Sequence, residues 1–301
     1  RIVRTARVVV DLTGPSHLIG QGVAEACVRA GRHYVDNTGD VKFSKSVRDT
    51  LHEKAKAAGV CLVLHTGYCS LPSDFCTWYL VKYVREKYGV PTRRVNAYDR
   101  TAGFVLSGTN YVQGQTFGGE STKDWDLFLL GGARKGASQE EKMDPNKPVS
   151  DRINGMWSIQ AAVADRVIIR GSCGLLDDLE PYGSRFHFMN WVPFPTEDSA
   201  ANAMMMTRFV TPKSIPRLAQ QNKIPPMGSG PGERMRQEVY VTRIFVAEAD
   251  EDSTEPRAAH LIMHAGPGGF GDRYEGTAAM SVEAACTLLD AAEGAGGLRP
   301  G

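Results

Sequence analysis

With 301 residues the chain has room for two domains, and its 42% of apolar residues can fill a substantial core. Thirty-five Lys and Arg stand against 34 Asp and Glu, a net charge of +1, so no broad positive field exists and nucleic acid is not expected as a partner. The longest apolar stretches, such as Cys61 to Leu64 and Phe128 to Leu130, fall far short of the ~20 residues that a membrane-spanning helix needs.

Val8-Val9-Val10 with Leu12 reads as a buried parallel-type strand, broken by Gly14-Pro15 into a loop at its carboxyl end, the edge where open α/β sheets hold ligands. Val23, Cys27 and Ala30 then recur at i, i+4 and i+7, and Gly31 sits where a glycine stops a helix. Tyr34-Val35 is a short strand. Val47, Leu51, Ala55 and Ala58 form the stripe of a second helix ended by Gly59, and Val60 to Leu64 is another continuously apolar strand. Strand, helix, strand, helix, strand implies right-handed parallel crossovers, here the second half of a dinucleotide-binding fold. Pro72 suits the first turn of a further helix through Tyr79 and Tyr83, with Ser70 or Leu71 at its cap.

A dinucleotide fold opens with a strand, a Gly-x-Gly-x-x-Gly turn and a helix whose N-terminus faces the pyrophosphate. No such turn precedes Gly14, and the chain begins at Arg1, so the opening strands are expected to lie in a piece missing from it. The clusters Gly118-Gly119, Gly228 to Gly232 and Gly266 to Gly269 do not stand early between an apolar strand and an amphipathic helix.

The middle of the chain reads as α+β. Val95 to Tyr98 and Gly103 to Leu106 are short strand candidates, and Gly118-Gly119 opens a helix carrying Trp125, Phe128 and Leu129. Gly131 to Asp151 is polar and lysine-rich, an exposed loop. Val163 to Arg170 fits a helix or a strand, and Met204-Met205-Met206 reads as core filling. Glu238 to Ala247 is a long strand paired with His260 to His264, and the acidic stretch Glu248 to Glu255 is a solvated hairpin tip. Thr277 to Ala292 closes as a helix with Ala278, Val282, Ala285, Cys286 and Leu289 on one face.

Six scattered cysteines make no disulfide framework and fit a reducing, cytoplasmic setting. Cys61, Cys69 and Cys76 lack a Cys-x-x-Cys pair and read as small apolar packing, so no metal is expected.

The order Gly14-Pro15, Gly20, Ala26-Cys27, Gly31, Tyr34-Val35-Asp36, Gly39, Phe43, His52, Ala55, Gly59-Val60, Gly67, Ser70, Pro72 and Asp74 resembles the saccharopine dehydrogenase-like oxidoreductases, which include the trans-acting enoyl reductases. Gln115 to Ser121, Tyr182-Gly183 with Phe186, Gly230-Pro231, Gly276-Thr277-Ala278 and the final Gly296 to Gly301 are similar to later segments of that family, Arg299 standing where threonine is usual. The resemblance implies an α/β fold: a partial Rossmann-type parallel sheet whose opening strands are missing, plus an inserted α+β domain with a mostly antiparallel sheet. The expected domains are 1–92 as the dinucleotide half, 93–272 as a substrate or dimerisation domain, and 273–301 as a helix returning to the first.

The implied chemistry is hydride transfer between NADP or NAD and a carbonyl, imine or enoyl group of a small-molecule or lipid substrate, impaired in a chain without the phosphate-holding turn. Gly14, Pro15 and Gly67 are the expected cofactor contacts, glycine letting backbone approach the ligand. Tyr34, Asp36 and Ser70 are candidate substrate contacts, although Asp36 equally suits tying down the Asn37-Thr38-Gly39 turn. The catalytic residue is not identified; His65 and Asp74 are the candidates, Asp74 also fitting a helix-dipole role. Tyr68-Cys69 replaces the family's Phe-Asp, which bears on activity. Two other functions remain open: a non-catalytic relative acting at a lipid droplet or membrane surface, and a hydrolase using Ser70 or Cys69 beside His65, for which no Gly-x-Ser-x-Gly elbow is present. The resemblance also allows a homodimer.

Overall fold

The structure, a computed structural model, describes residues 2–68, 70–102, 107–110, 126–131, 148–150, 155–160, 164–176, 182–209, 213–266 and 273–291. The chain divides into two compact units, residues 1–72 with 273–301, and residues 73–272.

The first unit is built on three parallel strands in the order β1 (Val8–Asp11), β2 (His33–Asp36) and β3 (Leu62–Val63). They are linked by α1 (Ser16–Ala30) and α2 (Val41–Ala57), and α8 (Arg273–Asp290) completes the unit. The apolar runs are continuous because the sheet is covered on both faces. Val9, Tyr34, Leu62 and Leu64 pack with Ala24, Cys27, Val28, Phe43, Val47 and Leu51 of α1 and α2. Val8, Val10, Val35 and Val63 pack instead with Ala284, Ala285 and Leu288 of α8. Gly31 and Gly59 adopt the left-handed backbone that ends each helix, both at φ 64°. A Cβ on Gly20 would come within 2.8 Å of the Phe43 ring, so glycine is what lets α1 lie against α2.

The buried face of α8 differs from expectation. Met280, Ser281, Ala285 and Leu288 are buried, whereas Ala278, Val282 and Cys286 are exposed. Apolar spacing misplaced the stripe by counting Val282 and Cys286 inward and omitting Ser281, whose hydroxyl has a buried polar partner in Thr66.

The second unit carries a six-stranded sheet in the order β5-β6-β7-β4-β8-β9: β4 (Thr92–Ala102), β5 (Val149–Ser150), β6 (Trp157–Gln160), β7 (His187–Phe194), β8 (Tyr240–Ala249) and β9 (Ala258–Ala265). Only β4 and β7 pair parallel, so the sheet is mostly antiparallel as expected. One face packs Val95, Ala97, Phe188, Phe245, Ala247 and Ala259 against α3 (Ser70–Tyr88), through Cys76, Leu80, Val81 and Val84, and against α4 (Ala164–Leu176), through Ile169. That packing sets most of α3 in the second unit, with the break at Pro72–Ser73 where sequence suggested residue 92.

Residues 164–176 resolve the helix-or-strand choice as a helix. Phe128 and Leu129 lie in hydrogen-bonded turns, not a helix; the candidates at Gly103 to Leu106 and Gly118-Gly119 lie outside the described residues. Val149–Ser150 is a strand within the span read as loop. Met205, on α5 (Glu197–Phe209), is 51% exposed and fills no core. The acidic stretch is likewise not all solvated: β8 runs through Glu248, which is buried and paired with Arg94, and Asp250 pairs with Arg185. Two short helices, α6 (Ile215–Gln220) and α7 (Glu233–Gln237), precede β8.

Candidate functional site at the carboxyl edge of the first sheet

Parallel pairing sets Asp11 directly beside Asp36, each the last residue of its strand. Tyr34, two residues before Asp36, points to the same face because strand side chains alternate. Its hydroxyl oxygen lies 3.2 Å from Asp11 Oδ2 and 3.0 Å from Asp36 Oδ2. All three side chains are buried. The remaining oxygens hold loops: Asp36 Oδ1 accepts the N–H groups of Thr38 (3.0 Å) and His65 (3.2 Å), and Asp11 Oδ1 accepts the N–H of Thr13 (3.0 Å). Burial pushes the Asp36 carboxyl up to about 6 against the pull of these donors. Burial first, then the neighbouring carboxylates Asp36 and Asp11, raises the Tyr34 phenol, and burial with the Asp11 charge pushes the Cys27 thiol of α1 up to about 11.

His65 follows β3 with a left-handed backbone, φ 65°. Its Nδ1 is 2.8 Å from the Thr38 carbonyl oxygen and its Nε2 is 2.7 Å from Ser44 Oγ on α2. Burial holds the imidazole down at about 4, hence neutral at pH 7. A carbonyl can only accept, so the network assigns the proton to Nδ1, and Nε2 accepts from the Ser44 hydroxyl. The ring therefore ties the loop after β2 and the start of α2 to the loop after β3. Thr66 extends the tie: its N–H and hydroxyl both donate to the Asp36 carbonyl, at 2.9 and 2.7 Å, and its oxygen lies 2.9 Å from Ser281 Oγ on α8. Asp40 caps α2 by accepting the Phe43 N–H at 2.8 Å, and its other oxygen is 3.4 Å from His17 Nδ1.

Gly14 and Pro15 lie at the end of β1, and no side chain caps α1 after them. Leu12, Leu18 and Ile19 beside them are 52%, 68% and 45% exposed. A Cβ on Gly67 would meet the Asn37 carbonyl oxygen at 3.1 Å, so this glycine packs against its neighbouring loop. Ser70 is buried as the first residue of α3. The fold thus brings Tyr34, Asp36 and His65 to one strand edge with Gly14, Pro15 and Gly67 on its loops. Asp74 lies in the second unit, where Ser172 donates to it at 2.7 Å and burial, with the Asp165 charge, pushes it up to about 6. Cys69 lies outside the described residues. Sequence reasoning missed Asp11, Ser44 and Ser281. The signal for Asp11 was present: Val8-Val9-Val10-Asp11 and His33-Tyr34-Val35-Asp36 both end on aspartate.

Gly266, Gly268 and Gly271 do have dinucleotide-turn spacing and fall between β9 and α8. β9 pairs antiparallel with β8, so the parallel strand-turn-helix context is not met there. Among the described residues no group of three or more His, Cys, Asp or Glu is arranged to hold a metal, and no helix is long and apolar enough to cross a membrane.

The strand order, the helices on both faces and the polar carboxyl edge define an α/β protein whose first unit is a Rossmann-type parallel arrangement. Its relatives carry the name of trans-acting enoyl reductases. A Mycobacterium tuberculosis protein of that name is 27% identical over 263 residues, covering 78% of this chain and 61% of the relative. The Mycobacterium leprae protein is 36% identical over 81 residues, covering 27% of this chain and 19% of its own length. The chain therefore spans about three fifths of the length of the first of these relatives. Among solved structures, saccharopine dehydrogenase (L-Glu forming) from Saccharomyces cerevisiae aligns over 100% of this chain and 79% of its own, with a TM-score of 0.46 and 12% identity. No family model matches.

Proposed function

We propose that the protein is an NADP- or NAD-dependent oxidoreductase of the saccharopine dehydrogenase-like family, moving hydride to or from a carbonyl, imine or enoyl group of a small-molecule or lipid substrate. The similarity over 263 residues to proteins named trans-acting enoyl reductases carries this reading. The strand edge supports it. The cofactor, when bound, supplies the hydride, and the chain supplies position. Gly14 has no Cβ to hold a ligand away, and the exposed Leu12, Leu18 and Ile19 give an apolar surface suited to a nicotinamide ring. Asp11 holds the Thr13 turn beside that surface, Tyr34 bridges Asp11 to Asp36, and Asp36 and His65 fix the neighbouring loops after β2 and β3. Among the described residues before α1 none forms a pyrophosphate-holding turn, and this chain by itself is expected to bind dinucleotide weakly.

The test is calorimetric titration of this chain with NADPH and NADH. It is paired with oxidation of reduced cofactor by a panel of enoyl, carbonyl and imine acceptors, in this chain and in any longer form with a glycine-rich strand-turn-helix ahead of Arg1. Weak binding by this chain and turnover in the longer form are expected. A tight dissociation constant for this chain would refute the expectation that it binds dinucleotide weakly without a phosphate-holding turn, and no turnover with any acceptor in either form would refute the oxidoreductase reading.

A further inference from the structure

Two carboxylates directly opposite on neighbouring strands repel, and the pairing of β1 with β2 fixes Asp11 opposite Asp36 in a buried layer. Tyr34 Oη is within hydrogen-bond distance of both, yet a phenol has one proton. It can donate to one carboxyl oxygen only, so the other contact requires a proton carried by that carboxyl. Thr13 likewise fills Asp11 Oδ1 and two N–H donors fill Asp36 Oδ1, so the proton sits on an Oδ2, and Asp36, 2% exposed against 6% for Asp11 and the nearer to Tyr34 Oη, is the carboxyl that carries it.

We propose that Asp36 is held as a carboxylic acid, that its Oδ2–H donates to Tyr34 Oη while Tyr34 donates to Asp11 Oδ2, and that this extra proton makes the carboxyl edge of the first sheet a pH-sensitive joint. The chain of donors joins the end of β1 and its Thr13 turn to the end of β2, and through Asp36 Oδ1 to the Thr38 and His65 loops. Removing the proton sets two buried negative charges side by side and loosens the three loops together. The titratable groups facing Asp36 are Asp11 on β1, Tyr34 on its own strand and the neutral His65 after β3; the raised thiol of Cys27 on α1 faces Asp11, and Asp40, paired with His17, heads α2. The inference stands on proton counting within this unit and does not require the proposed cofactor.

The folded carboxyl lies above its ordinary value of 3.8, so the native state binds the extra proton and stability falls as pH rises from 3.8 to about 6. Asp36→Asn keeps the shape and the donor and cannot ionise. In urea unfolding of the chain from pH 4 to 8, the wild type is expected to lose, relative to Asp36→Asn, roughly a hundredfold in its folding equilibrium constant across that window, at a factor of about ten per pK unit. Asp74 titrates in the same range through its own burial, so the difference between the two curves isolates Asp36. Asp11→Asn is expected to move the difference to lower pH by removing the facing charge. A flat difference curve overturns the proposal. If Asp36→Asn does not fold, infrared titration of Asp74→Asn decides: a buried carboxylic-acid carbonyl band present at pH 5 and lost as pH rises past the window is expected, and its absence at pH 5 overturns the assignment.

Discussion

Replacing His65 by alanine tests whether the ring is a structural tie. The substitution removes one hydrogen bond to the Thr38 carbonyl and one from the Ser44 hydroxyl. Ser44 can turn to the Asp40 carbonyl, 3.0 Å away, but Thr38 O loses its ring donor. With the Ser44 hydroxyl satisfied again, one lost bond at about 1 kcal/mol plus an unsatisfied buried carbonyl at about 1–3 kcal/mol gives roughly 2–4 kcal/mol at pH 7. The backbone cost of φ 65° is common to both residues and cancels. The pH dependence is the sharper test. The folded imidazole sits at about 4, below its ordinary 6.5, so the unfolded state takes up the proton first and stability is lost as pH falls from 6.5 to about 4. Between two and three pK units at about 1.4 kcal/mol each amount to about 3 kcal/mol, an order-of-magnitude figure. His187, also buried and held down at about 4, contributes equally to both proteins and drops out of the comparison. Urea unfolding followed by circular dichroism, with the slope against denaturant checked for constancy, should show a gap between wild type and His65→Ala that is largest at neutral pH and closes toward pH 4. A gap below ~1 kcal/mol at pH 7, or one independent of pH, would refute the structural tie. Turnover lost at unchanged stability would make the ring a participant in chemistry.

Thr66→Val and Ser281→Ala should each destabilise by about 1 kcal/mol. A double-mutant cycle should return a coupling of about 0.5–1.5 kcal/mol, because the two hydroxyls meet in a buried layer; additive effects would show that the contact contributes nothing. Gly183→Ala places a Cβ 2.5 Å from the Thr92 carbonyl oxygen and 3.1 Å from Pro91. Thr92 is held in the β4–β8 ladder opposite Ala249, so relief requires moving backbone, at a cost of about 1–3 kcal/mol. Differential scanning calorimetry should show a melting temperature several degrees lower, and an unchanged melt would contradict the close packing.

Much of the first unit was legible because its signals are local. Gly31 and Gly59 stop helices through a backbone conformation that glycine adopts without strain, and a strand buried on both faces shows itself as an unbroken apolar run such as Val8 to Val10. The long strand β8 and its partner β9 were legible for the same reason, by composition and by the hairpin between them. Less of the site could be read. Tyr34, Asp36 and His65 were visible as polar residues at strand ends, but nothing in one dimension says which atoms they face. The α8 stripe was misjudged because a serine that finds a buried hydroxyl is as much an inward residue as a leucine. Met205 and Glu248 erred in opposite directions, an apolar residue left outside and a charged one taken inside by its pairing with Arg94.

By itself the sequence determined the order of helices and strands in the first unit, that its strands run parallel, and which glycines and polar residues crowd their carboxyl ends. Only the tertiary structure decided the partners. The register of β1 on β2 set Asp11 against Asp36 across 25 residues of chain, and the fold of the loop after β3 turned His65 inward to Thr38 and Ser44. Helix stops and apolar runs depend on a residue and its immediate neighbours, whereas a proton shared between two strands depends on a distance that exists only once the strands have paired.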